Sequence, residues 1–97
     1  MKIEHDPHRL ERLKEREIPE AWPREIIEQS SEHVRDLATD PLIIAVDRRW
    51  YKGKKRELAI SYVKIESGCK AITIHPITLR QKRNRMRTGR WVLHENN

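Results

Sequence analysis

The chain has no phenylalanine, three glycines and a single cysteine in 97 residues. One cysteine allows no internal disulfide, so nothing asks for an oxidising compartment. No run approaches the roughly 20 apolar residues that a membrane helix needs. The first residues also lack the apolar stretch of a secretory signal. The expectation is a cytoplasmic protein with no membrane partner. A glycine-rich phosphate loop and a serine nucleophile motif are both missing, which removes two common catalytic designs. His5 and His8 offer two imidazoles, but no second pair at zinc spacing follows, so no metal and no cofactor are expected.

Charge is what the chain has in quantity. Charged residues make up 37% and hydrophobic ones 36%, with a net charge of +6. Residues 1–41 carry seven Lys/Arg against eleven Asp/Glu, a net of −4, whereas residues 42–97 carry fourteen against four, a net of +10. Positive charge gathered in one half implies an anionic partner for it, nucleic acid or an acidic protein. The plainer alternative is a solvated basic surface.

The length fits one domain spanning 1–97, with a core sufficient only if helices and a sheet share it. Residues 1–5 read as a short lead-in strand. Asp6 suits an N-cap and Pro7 the first helical position, predicting a helix over 7–17 that buries Leu10 and Leu13. Ile18-Pro19 ends it, because a residue before proline avoids helical geometry. A second helix starts at 20 or 23 and runs to 29, with Trp22, Ile26 and Ile27 inward. "VRDL", around Val34, reads as an added edge strand. Beyond Asp40-Pro41 the hydrophobic period becomes two, over 42–51, 56–66 and 69–77, an antiparallel meander with hairpin turns at both corners. Thr78 suits the cap of a helix in the basic stretch "TLRQKRNRMRTGR", Gly89 its stop, and "WVLHE" a last short strand.

The expected fold is therefore α+β: two N-terminal helices (7–29) on one face of a three- to four-stranded antiparallel sheet (42–77), then a basic C-terminal segment (78–97). Strand alternation assigns Leu42, Ile44, Val46, Leu58, Ile60, Tyr62, Ile72 and Ile74 to the helix-covered face. It leaves Ala45, Asp47, Arg49, Ala59, Ser61, Thr73 and His75 on a small, polar face. That face reads either as solvated or as a shallow binding surface, flanked by the basic hairpin 52–56 and the basic segment 78–90.

The spacing His8-x3-Arg12-Leu13-x2-Arg16-x-Ile18, followed by a short helix and a meander ending in Ala71-Ile72-Thr73-Ile74-His75, resembles a family described as domain of unknown function 4258. The likeness covers residues 5–77. That family is similar to the RelE/ParE toxin superfamily, small basic proteins with helices on one face of an antiparallel sheet. The resemblance implies a RelE-like fold and a toxin component that binds RNA. Two positions depart from the pattern: Glu17 stands where glycine is expected, and His75 where an aromatic is expected.

Metal-independent RNA cleavage needs a base for the ribose 2′-OH, cations for the developing phosphate charge and an acid for the leaving oxygen. His75 is the first choice for proton transfer, with Arg49 and Arg80 as cationic stabilisers; a structural strand-end histidine is the alternative. His8, Arg12 and Arg16 recur every four residues and share one helix stripe. The stripe either docks to the sheet through carboxylates such as Glu11, Glu15 and Asp47 or meets phosphate. Lys52, Lys54, Lys55, Lys82, Arg83, Arg85 and Arg87 are the remaining phosphate contacts. Trp50 and Tyr51 near the basic hairpin and Trp91 after the basic run are candidates for stacking on unpaired bases; alternation turns Trp50 toward the core, leaving Trp91 as the better one. Cys69, with no adjacent base or thiol, reads as a small core filler.

The resulting expectation is a RelE-like toxin component acting on RNA, including ribosome-bound mRNA, as a metal-independent endoribonuclease held by an acidic antitoxin. The alternative is a non-enzymatic nucleic-acid-binding or regulatory protein on the same scaffold.

Overall fold

A computed structural model describes residues 2–5, 7–39 and 42–94. Asp6, read as a helix cap, Asp40-Pro41, read as the change of period, Met1 of the lead-in strand and Glu95 of the last strand lie outside the described residues. The elements in chain order are β1 (Lys2–Glu4), α1 (Pro7–Glu15), α2 (Trp22–Gln29), β2 (Glu32–Asp36), β3 (Ile43–Tyr51), β4 (Lys54–Ile65), β5 (Gly68–Ile77), α3 (Leu79–Arg87) and β6 (Trp91–Leu93). The strands form one six-stranded sheet in the order β1-β5-β4-β3-β2-β6, with β1 parallel to β5 and every other pair antiparallel.

This corrects the expected architecture of two helices on three or four antiparallel strands. The sheet is wider, it is mixed, and a third helix lies on it. β1 and β6 are three residues each, too short to show a period, and both pair with partners far away in sequence. β2, expected at an edge, sits between β3 and β6.

Local chemistry explains the turns. Lys52 and Gly53 both have positive φ (50° and 81°) between the paired Tyr51 and Lys54. A two-residue turn with both φ positive matches the twist of the flanking strands. At the end of α1, Glu17 N–H donates to Lys14 C=O (3.1 Å) and Ile18 N–H to Leu13 C=O (2.8 Å), with Glu17 at φ 57°. That is a Schellman closure, and its left-handed position favours the glycine that Glu17 replaces. Leu13 and Ile18, which flank the closure, are both buried. At Gly68 a Cβ would lie 2.1 Å from the Lys2 backbone oxygen, so a side chain there displaces β1.

The two faces of the sheet carry separate cores. One, under α1 and α2, joins Leu13, Ile18, Ile26 and Ile27 to Ile43, Ala45, Tyr51, Leu58, Ile60, Tyr62, Cys69, Ala71 and Ile74. The other joins Val34, Ile44, Val46, Ala59, Ile77 and Trp91. The expected alternation therefore holds along β4 but is inverted along β3, where Ala45 pairs with Ile60 and Ile44 with Ser61. Residues 42–46 are apolar throughout, so they suit either face and the pairing decides. A bulge opposite Ser61/Tyr62 makes Ile72 the extra residue of β5 and brings Ala71 and Ile74 to the same face.

Candidate nucleic-acid interface

The small polar face is not an open surface. Ala59 and Ser61 are buried, and Thr73 Oγ1 donates to Ser61 Oγ at 2.9 Å. α3 lies on this side. Its start is closed by a capping box, Gln81 N–H donating to Thr78 Oγ1 and Thr78 N–H to Gln81 Oε1, each at 3.0 Å. Gly89, at φ 79°, follows its last turn. Lys82 Nζ reaches Glu32 on β2 at 2.7 Å and Glu57 on β4 at 3.9 Å. The Arg85 guanidinium stands 5.1 Å above the Trp91 ring. Lys82 and Arg85, two of the expected phosphate contacts, thus fasten the helix to the sheet.

Arg49 has a similar task on the other face. Its Nε meets Asp47 and its Nη1 meets Glu25, both at 2.8 Å, and its guanidinium lies 5.5 Å from the Trp22 ring. Burial opposes its charge, but the two carboxylates outweigh this and raise its pKa. Arg49 therefore ties α2 to β3. Arg80 is exposed on α3, so the expected trio of His75, Arg49 and Arg80 is distributed over three elements with Arg49 on the opposite face.

His75 pairs with Ala59 of the α3-side core at the sheet edge, where its neighbours come from both α3 and α1. The Arg16 guanidinium donates to the Ile74 carbonyl at 2.7 Å, and Tyr51 OH donates to the Arg16 carbonyl at 2.6 Å. Arg12, Arg16 and His75 line one cleft with His5 and Arg9. Burial, then Arg85 and Arg16, push the His75 pKa down. His8 is exposed on the same helix. Of the stripe's two readings, docking is what Arg16 does, by way of a backbone carbonyl rather than a carboxylate.

Two tryptophans exchange the places expected of them. Trp91 is 2% exposed, whereas Trp50 is 65% exposed. The inverted alternation of β3 is the cause: Trp50 faces away from α1 and α2, opposite Lys55 and two residues from Arg48. Arg48, Lys54, Lys55 and Arg56 line a depression of about 390 Å³ that continues over Ile77, Thr78 and Leu79 to the start of α3. Along the outer side of α3, Arg80, Arg83 and Arg87 line another of about 550 Å³ with Gln81 and Asn84. Arg48 also contacts Glu57 at 3.2 Å. Lys52, at the hairpin tip, lies 5.4 Å from the Tyr51 ring and 3.7 Å from Glu17. Sequence reasoning ranked Trp50 below Trp91 and missed Arg48. Their signal was there, a tryptophan in a run of Arg and Lys, but it needed the register of β3.

Among the described residues no group of three or more His, Cys, Asp or Glu is placed to hold a metal ion, and no helix is long and apolar enough to cross a membrane. Cys69 is buried in the helix-side core, and burial pushes its thiol pKa up. No family model, no curated protein and no solved structure matches the chain.

Proposed function

We propose that this protein binds single-stranded RNA across the end of the β3–β4 hairpin and the outer side of α3. The observation that carries the reading is the exposed Trp50 ring, opposite Lys55 and two residues from Arg48, beside a helix that turns Arg80, Arg83 and Arg87 outward. An aromatic face offers a base a stacking platform, and the cations track the phosphates. Stacking needs unpaired bases, which favours single strands over duplex. RNA, rather than DNA, is the polymer implied by the family resemblance.

The test is anisotropy of a labelled single-stranded RNA of about a dozen nucleotides at rising salt. Trp50→Ala weakens binding roughly tenfold, in keeping with about 1–3 kcal/mol per stacked base. Arg80→Gln with Arg83→Gln lowers the salt slope by about one for each phosphate no longer neutralised. Equal affinity of Trp50→Ala and the parent sinks the reading. The same samples are run on a gel: RNA recovered intact favours the binding or regulatory protein. Shortened RNA, with cleavage abolished in His75→Ala, favours the toxin-type endoribonuclease, with Arg12 and Arg16 in place of Arg49 beside the histidine.

A further inference from the structure

The cleft between α1 and β5 lies apart from the hairpin–α3 surface and has a different composition. β1 stops pairing at Glu4–Lys70, so β5 beyond that point has no strand on its outer side among the described residues. Pro76, which has no N–H to donate, suits such an edge. α1 lies alongside, held by Arg16 on the Ile74 carbonyl. The cleft measures about 170 Å³. Its floor is apolar, built from Leu13, Pro23, Ile60, Ala71 and Ile74, all buried. Its rim is cationic or imidazole: Arg9, Arg12 and Arg16 from the helix, His5 before it and His75 from the strand.

Among the described residues no carboxylate lines this cleft. Among them, too, neither Arg9 nor Arg12 has an ion pair or a side-chain hydrogen bond, in contrast with Arg49. Two guanidinium groups beside an apolar hollow call for a ligand with both characters. The hollow also sets its size, because an apolar cavity of about 150 Å³ accommodates benzene. One ring or a chain of about six carbons fills the hollow.

We propose that the α1–β5 cleft binds a small organic anion, a carboxylate on a single-ring or short-chain apolar body. The apolar body rests on Leu13, Ile60 and Ala71, and the carboxylate accepts hydrogen bonds from Arg9 and Arg12. Arg16 remains on the strand edge and keeps the cleft walls in place. Burial lowers the pKa of His5 and of His75, so near pH 7 both rings are neutral and the arginines supply the charge.

The test uses the full chain, labelled with nitrogen-15, and follows its amide resonances during titration with benzoate. Saturable shifts are expected at residues 9–16 and 71–75. Benzamide, the neutral counterpart, binds at least tenfold more weakly, as loss of a charge-assisted hydrogen bond requires. Inorganic phosphate, an anion with no apolar body, is also at least tenfold weaker. The double variant Arg9→Gln, Arg12→Gln weakens benzoate tenfold or more while amides elsewhere keep their positions. Benzamide or phosphate matching benzoate overturns the proposal, as does the absence of saturation. RNA affinity is indifferent to benzoate, so this site and the RNA surface stand or fall separately.

Discussion

The two faces of the sheet are closed by different materials. Under α1 and α2 the closure is aliphatic: Ile26, Leu58 and Ile60 are fully buried, and α2 turns Pro23, Ile26 and Ile27 inward. α3, on the opposite face, buries none of its residues. It is held by its capping box, by Lys82 on Glu32 and by Arg85 on Trp91. Leu79 and Met86, its large apolar residues, are 41% and 37% exposed. A helix fastened by polar contacts contributes little to the core and keeps most of its circumference for other uses. Its role is presentation of charge, and the difference predicts how the two faces respond to mutation.

The largest effect belongs to the aliphatic face. Leu58→Ala leaves a cavity in a fully buried site and costs about 2–5 kcal/mol, read from urea or thermal unfolding. Met86→Ala on α3 stays within about 0.5 kcal/mol, as surface changes do. Comparable destabilisation by both variants would erase the contrast between the faces.

Acid is the next way to sharpen it. Burial lowers the pKa of His5, His33 and His75 in the folded chain, so each is favoured in its neutral form. The unfolded chain then binds more protons, and stability present above about pH 6.5 is lost as pH falls through the lowered values. His33 fills a specific place: its Nε2 lies 3.0 Å from the Ser30 carbonyl and its Nδ1 2.7 Å from Tyr62 OH. A carbonyl only accepts, so Nε2 carries the proton and Nδ1 accepts from the tyrosine. Burial holds the Tyr62 hydroxyl up at about 12, so it remains a donor throughout. At lower pH Asp36 adds a second decline. Burial disfavours its charge, but Arg90 at 3.0 Å and the Ala38 N–H outweigh this and hold its pKa below the usual carboxylate range. Chemical denaturation between pH 7.5 and 5.5 should show the first decline, and a flat profile would remove the histidines from it.

The smallest effect should be a gain. Glu17 occupies the left-handed closing position of α1 at φ 57°. Relief of that conformation in Glu17→Gly is expected to stabilise the chain by about 1 kcal/mol. Its ion pair with Lys52 is exposed and 3.7 Å long, so removing it matters little. A lower melting temperature for Glu17→Gly would contradict the strain assigned to the α1 closure.

Much of the fold is legible along the chain. Pro7, Leu13 and Ile18-Pro19 mark α1; Thr78 and Gly89 frame α3; Lys52-Gly53 marks the hairpin. Each of these signals acts within a few residues of itself. That the two terminal strands join the sheet, one of them in parallel, was not legible, because Lys2–Glu4 and Trp91–Leu93 are short and gain their hydrogen bonds from distant partners. The face assignment of β3 was not legible either, since Leu42-Ile43-Ile44-Ala45-Val46 reads equally well in both phases. That single ambiguity turns Trp50 inward by alternation when the structure has it outward, and it sets Arg49 beside His75 when it lies under α2. Lys82 and Arg85 are indistinguishable in sequence from Arg80 and Arg83. Their neighbours Glu32, Glu57 and Trp91 come from other strands.

By itself the sequence determined the local turns and caps, the pairing of a mildly acidic front half with a strongly basic back half, and a core too aliphatic to rely on large aromatics. Tertiary structure decided which arginines and lysines are held by carboxylates and which face outward. It also decided which tryptophan is exposed, and that a cleft opens where β1 stops beside β5. The reason is range: caps and turns are closed by residues a few positions away, whereas a side chain's face and its counter-ion depend on the register of strands far apart in the chain.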